Sequence, residues 1–128
     1  MIVEYAGGMK PIAHDRGLQA VGDQPEHGGG EGTAMTPTKL FIASLAMCVG
    51  IFVLYLAKRH EMPFENMRIE VNHQMADGPR RVAAVQIRGH MPQPVAPEHR
   101  AALRRAGEQS VVHNTLRQPP NVTVSMMA

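Results

Sequence analysis

Thr36-Pro-Thr-Lys-Leu-Phe-Ile-Ala-Ser-Leu-Ala-Met-Cys48-Val-Gly-Ile-Phe-Val-Leu-Tyr-Leu-Ala-Lys58-Arg59-His60 is the stretch around which this chain must be organised. Thr36 before Pro37 is a helix start: a hydroxyl N-cap, then a proline at the first helical position, where its missing N–H costs nothing. Lys58, Arg59 and His60 suit the negative end of the helix dipole, and Pro63 prevents extension. The expected helix covers 36–60. Leu40 to Ala57 runs for 18 residues without a charge, and a spanning helix needs roughly 17–25. A single membrane span is therefore one reading. Ser44, Cys48 and Gly50 dilute it, and the flanking segments read as soluble strands and an amphipathic helix. A buried core helix fits better, and no membrane partner is expected. Such a helix is apolar all round and needs cover on every side. A chain of 128 residues supplies that cover poorly alone, which predicts a homodimer.

Outward from this helix the chain alternates strands and turns. Residues 2–6 read as a strand closed by Gly7-Gly8. Residues 9–14 and 18–22 read as two more, with His14-Asp15-Arg16-Gly17 as the turn between them. Together 1–22 form a three-stranded meander. The Gly-rich segment 23–35 reads as a flexible lid or connector. It is not a P-loop, since no Gly-Lys-Ser/Thr follows, and its glycine spacing fails the dinucleotide fingerprint. Beyond the helix, Met67, Ile69, Val71, His73 and Met75 alternate with polar residues. Asp77-Gly78 is a turn, and Val85 and Ile87 alternate in a return strand, so 67–91 is a hairpin. Pro97 opens helices over 97–117. Gly107 is expected to interrupt them, and Ser110 to cap a short last one. Val122, Val124 and Met126 predict a last strand over 121–127. The order βββ–α–ββ–α–(α)–β is α+β with antiparallel sheet.

Composition narrows the function classes. Thirteen Lys and Arg stand against 11 Asp and Glu, a net charge of +2. That balance, without a basic run, argues against nucleic acid. One cysteine rules out an internal disulfide and a multi-cysteine zinc site. The N-terminal residues lack a basic, long-apolar signal segment, so the cytoplasm is the expected compartment. The seven histidines (14, 27, 60, 73, 90, 99 and 113) form no His-x-x-x-His pair and have no acidic cluster. No metal site and no cofactor are expected. His73 reads as a core or interface histidine, and His113 as a solvated or structural one. Glu98, Arg100, Arg104, Arg105 and Glu108 read as the solvated face of a helix. Ten methionines, among them Met35, Met47, Met62, Met67, Met75 and Met91, read as core filler or as the lining of a greasy pocket.

The chemistry turns on Cys48. A buried thiol is usually inert, and only the thiolate is a good nucleophile. Apolar burial disfavours the thiolate. Cys48 lies about three turns inside its helix, beyond useful reach of the helix dipole. A cation brought from elsewhere would make it a redox centre; without one it is packing.

Two segments resemble the OsmC/Ohr family, the osmotically inducible and organic-hydroperoxide-resistance proteins. Thr36-Pro37-x-x-Leu40 followed by Ala43-Ser44-Leu45-Ala46-x-Cys48 looks like the family's central helix, with Gly28-Gly29-Gly30-Glu31-Gly32 before it. Ala106 to Leu116 looks like the helix end that carries the family's second cysteine. The resemblance implies an OsmC-like fold, with antiparallel sheets wrapped around long central helices in an intertwined homodimer. It also implies thiol-based reduction of organic hydroperoxides. Cys48 falls on the peroxidatic position. Ser110 stands where the second cysteine would be, and Thr38 where some members place a catalytic Glu. Arg16 is the nearest candidate for the activating Arg. The implied activity is a one-cysteine route with an external thiol reductant. The alternative is a non-catalytic protein holding a small apolar ligand at the dimer interface.

Overall fold

The structure, a computed structural model, describes residues 1–127. The chain runs β1 (Ile2–Tyr5), β2 (Pro11–Asp15), β3 (Leu18–Val21), a 3-10 turn at Glu26–Gly28, α1 (Pro37–Arg59), β4 (Arg68–Ala76), β5 (Arg81–His90), α2 (Pro97–Glu108) and α3 (Val111–Arg117). Strands β1–β2–β3 form one antiparallel sheet and β4–β5 another. This is the expected α+β fold with antiparallel sheets and one long central helix.

The local chemistry explains the boundaries. Thr36 Oγ1 accepts from Lys39 N at 3.2 Å, and Pro37 opens α1 behind it. Lys58 and Arg59 occupy its last turn. The β2–β3 turn is the residue pair Arg16-Gly17, with φ of 50° and 81°. Two left-handed residues make the tight turn whose twist matches a hairpin. Gly107 does not interrupt α2, which continues to Glu108. A Cβ at Gly107 would meet Val49 Cγ1 at 2.9 Å, so the glycine instead lets α2 lie close on α1.

The core lies where α1 crosses α2 and the connections of the hairpin. Val53, Ala57 and Leu103 are its buried centre, joined by Leu56, Met62, Phe64, Met67, Met91 and Val95. Helix α1 also packs on α3, β4 and β5. The meander is different. All four residues of β1 and all four of β3 are exposed, and the sheet packs chiefly on its own strands.

Two further expectations need correction. Residues 121–127 form no strand; Val122, Val124 and Met126 are 79%, 83% and 90% exposed. Alternating apolar residues favour a strand, but its hydrogen bonds must come from a neighbouring edge, and this chain lays none beside them. The Gly-rich loop is not slack either. Asp23 is fully buried, and its carboxylate accepts from Gln24 N (2.8 Å), Glu31 N (3.3 Å), Thr33 N (3.0 Å) and Thr33 Oγ1 (2.8 Å). Any Cβ at Gly30 would collide with the Gln24 carbonyl, so only glycine lets the loop fold back this tightly.

Candidate functional site

Cys48 is half-buried and unpaired. Its position on α1 follows from the helix period. Ile42, Leu45, Ala46, Gly50, Val53 and Ala57 are buried and mark the covered side. Ser44, Met47, Cys48, Ile51 and Tyr55 recur every three or four residues and share the other side. Met47, Ile51 and Tyr55 are 64%, 46% and 63% exposed. Cys48 therefore borders a strip of large apolar side chains that its own chain leaves open.

The other positions singled out by sequence lie at three places in the chain. Thr38 is exposed in the first turn of α1. Ten residues separate it from Cys48, about 15 Å along the axis. Arg16 sits at the exposed tip of the β2–β3 turn. Just past β3 the chain approaches the helix at Gly22, where an added Cβ would lie 3.6 Å from Leu40. Ser110 is fully buried, and its hydroxyl accepts from His113 N at 3.1 Å as the N-cap of α3. Its oxygen is engaged in holding a helix start, which satisfies an N–H that would otherwise be orphaned.

A cavity of about 890 Å³ opens beside α1. One wall is the α1 row Phe41, Leu45, Val49 and Val53; the hairpin contributes Ile69, Val85 and Ile87. Leu103 of α2 and Leu116 of α3 close the apolar lining. Arg100, Arg104, Glu108, His113 and Arg117 stand round it. Cys48, Ser110, Thr38 and Arg16 are not among the lining residues. Cys48 misses it because it lies one residue, about 100°, round the helix from Val49.

The sequence gives no sign of this cavity, since its walls come from five elements whose apolar faces each look like ordinary core. Arg100 and Arg104 are exposed, as a solvated helix face requires, and they also border the cavity. The greasy pocket is also aliphatic rather than methionine-lined. Only Met91 of the methionines borders it, while Met62 and Met67 fill the core and Met35 and Met47 are exposed. Met75 is half-buried. His113 is half-buried on the cavity rim, and His73 is exposed in the single chain.

The charges that the fold perturbs lie away from Cys48. The Thr33 N–H, with the hydroxyl and the other backbone donors, holds the Asp23 carboxyl below its ordinary range. Lys10 bonds Glu31 at 2.6 Å, which raises the Lys10 ammonium and ties β2's approach to the loop. On the hairpin His90 Nε2 lies 3.1 Å from Glu70, which lowers the Glu70 carboxyl. Among the described residues no group of three or more His, Cys, Asp or Glu could hold a metal ion.

Comparison with known proteins places the whole arrangement. Residues 29–125 match the family described as OsmC-like protein. Among solved structures, a candidate osmotic-stress-induced and detoxification-response protein from Psychrobacter arcticus is similar at 26% identity and a TM-score of 0.84. That match covers 89% of this chain and 85% of the other. An organic hydroperoxide resistance protein from Legionella pneumophila matches at 23% identity and TM-score 0.68, covering 91% and 88%. An OsmC-like protein from Mycoplasma pneumoniae matches at 16% identity and TM-score 0.72, covering 86% and 80%. No curated protein matches the sequence. Helix α1, long and apolar enough to cross a membrane by length and composition, is the core helix of this fold.

Proposed function

Because this chain belongs to the OsmC-like protein family, we propose that it is a homodimeric redox protein that reduces organic hydroperoxides through the single thiol of Cys48. The observation that carries this reading is the placing of Cys48. It borders the open apolar strip Met47, Ile51 and Tyr55, so a second copy laid on that strip would enclose the thiol. In this proposal the activating cation comes from the second copy, with Arg16 as its candidate. A guanidinium beside the thiol favours the thiolate.

The chemistry follows from one cysteine. The Cys48 thiolate attacks the distal peroxide oxygen; an S–O bond forms, the O–O bond breaks, and the alkoxide takes a proton and leaves as alcohol. Cys48 is then a sulfenic acid. An external thiol condenses with it, releasing water and forming a mixed disulfide. A second external thiol releases the disulfide of the reductant and restores Cys48. Two thiols thus supply the two electrons. Ser110 supplies no second thiol, so no step closes a disulfide within the chain. The cytoplasm is the proposed setting, since a reducing compartment maintains such thiols.

The test is the rate of Cys48 oxidation by cumene hydroperoxide in the native protein, read by mass spectrometry with a sulfenic-acid trap. Trapped oxidation well faster than that of free cysteine at neutral pH, absent from Cys48→Ser, is the expected result. A thiol no faster than free cysteine sinks the proposal.

A second reading has its own observation. The 890 Å³ cavity lies within the range of small-molecule sites, roughly 300–1,000 Å³, and does not touch Cys48. In this reading the protein holds a small apolar ligand there without turnover.

A further inference from the structure

The cavity beside α1 has an aliphatic floor and a charged margin of unequal sign. Leu45, Val49, Val53 and Leu103 line its depth, with no hydroxyl or amide among them. At the margin stand three guanidinium groups, Arg100, Arg104 and Arg117, with His113 and a single carboxylate, Glu108. Arg104 Nη1 lies 3.4 Å from Glu108, so that carboxylate is already answered. Among the described residues Arg100 and Arg117 have no ion-pair partner.

From this we infer that the cavity is a site for an unbranched alkyl carboxylate, its chain along the aliphatic floor and its head on Arg100 and Arg117. The inference rests on the second reading above, that the cavity holds an apolar ligand, and adds the anionic head. A straight chain suits walls that offer only dispersion and area. Arginine presents a planar fork that meets a carboxylate through two parallel N–H bonds. A neutral amphiphile of the same length would fill the floor and leave both guanidinium groups to water. The site stands apart from Cys48, so its ligand need not be a peroxide, and its occupancy does not depend on thiol chemistry.

The experiment is calorimetric titration of the native protein with decanoate and, separately, with 1-decanol, repeated on the double variant R100Q/R117Q. Both substituted residues are exposed, so the fold is expected to survive, and circular dichroism checks that it does. The expected result is saturable decanoate binding, one per chain, weaker for decanol. The double variant should lose roughly tenfold in decanoate affinity, since charge-assisted bonds are about twice as strong as neutral ones, with decanol unmoved. Equal binding of the two compounds, unchanged in the variant, overturns the anionic head and leaves the apolar site standing. Binding of neither overturns the site and the second reading together, and leaves the proposal for Cys48 untouched.

Discussion

The two sheets of this molecule have the same antiparallel pairing and opposite fates. In the β4–β5 hairpin, Ile69, Val71, Val85 and Ile87 are half-buried because α1 lies across them. In the β1–β3 meander, Ile2, Val3, Tyr5, Leu18 and Val21 are all exposed, Tyr5 by 72% and Leu18 by 74%. Both carry the apolar residues of a packed sheet, and one has nothing of its own chain to pack on. The same contrast divides α1, whose Val53 side is covered while its Tyr55 side is open. Isolated exposed apolar residues are common, but contiguous ones mark an interaction surface. The difference teaches that half of this fold is written for a surface the single chain lacks, and a second copy is the surface proposed for it.

Substitutions can break or sharpen that contrast. The largest effect is expected at the open strip. Tyr55→Glu places a charge where the second copy would lie, and an unpaired charge in an interface costs several kcal/mol. Dimer dissociation should rise by roughly a hundredfold or more, read by analytical ultracentrifugation. The covered side should answer in stability instead. Leu103, 6% exposed, sits in the core between α1 and α2, so Leu103→Ala should cost about 2–5 kcal/mol in denaturant unfolding with the association constant little changed. If Tyr55→Glu lowers stability without changing association, the contrast between the two sides fails.

The Gly-rich loop offers a pH test. Asp23 has its carboxyl pKa lowered in the fold by the Thr33 N–H and its companion donors. Its contribution is therefore present above the ordinary carboxylate pKa and lost as pH falls through the folded value. Protection of the Glu31 and Thr33 amides, measured against their intrinsic exchange rates, should start to fall below the ordinary carboxylate pKa of about 4, and Asp23→Asn should show reduced protection already at pH 7. The smallest expected effect is at the last helix. Ser110→Ala removes an N-cap and should cost about 1 kcal/mol, with no change in Cys48 oxidation rate.

Much of this was legible in the sequence, for identifiable reasons. Thr36-Pro37 and Lys58-Arg59 delimit α1 because caps act locally, through bonds within one turn. The hairpin shows in its period of two, and Ser110 as a cap in its place at the head of a short helical run. Asp23 was not legible. Its four partners lie up to ten residues away, and an aspartate before a Gly-rich run looks the same whether it is buried or solvated. The aliphatic cavity was hidden for a similar reason, since Val49 and Leu103 read alike as core whether they touch each other or line a space between them. The strand expected at 121–127 failed because alternation reports what a segment could bury and says nothing of whether an edge is there to pair with it.

One measurement tests the central claim most directly: the solution mass of the native protein by light scattering across a dilution series. A second copy covering the open side of α1 and the meander predicts a particle of twice the 14.0 kDa chain, held to micromolar concentration and below. A monodisperse 14.0 kDa monomer that stays soluble would contradict it, because the apolar strip beside Cys48 would then face water in the working protein.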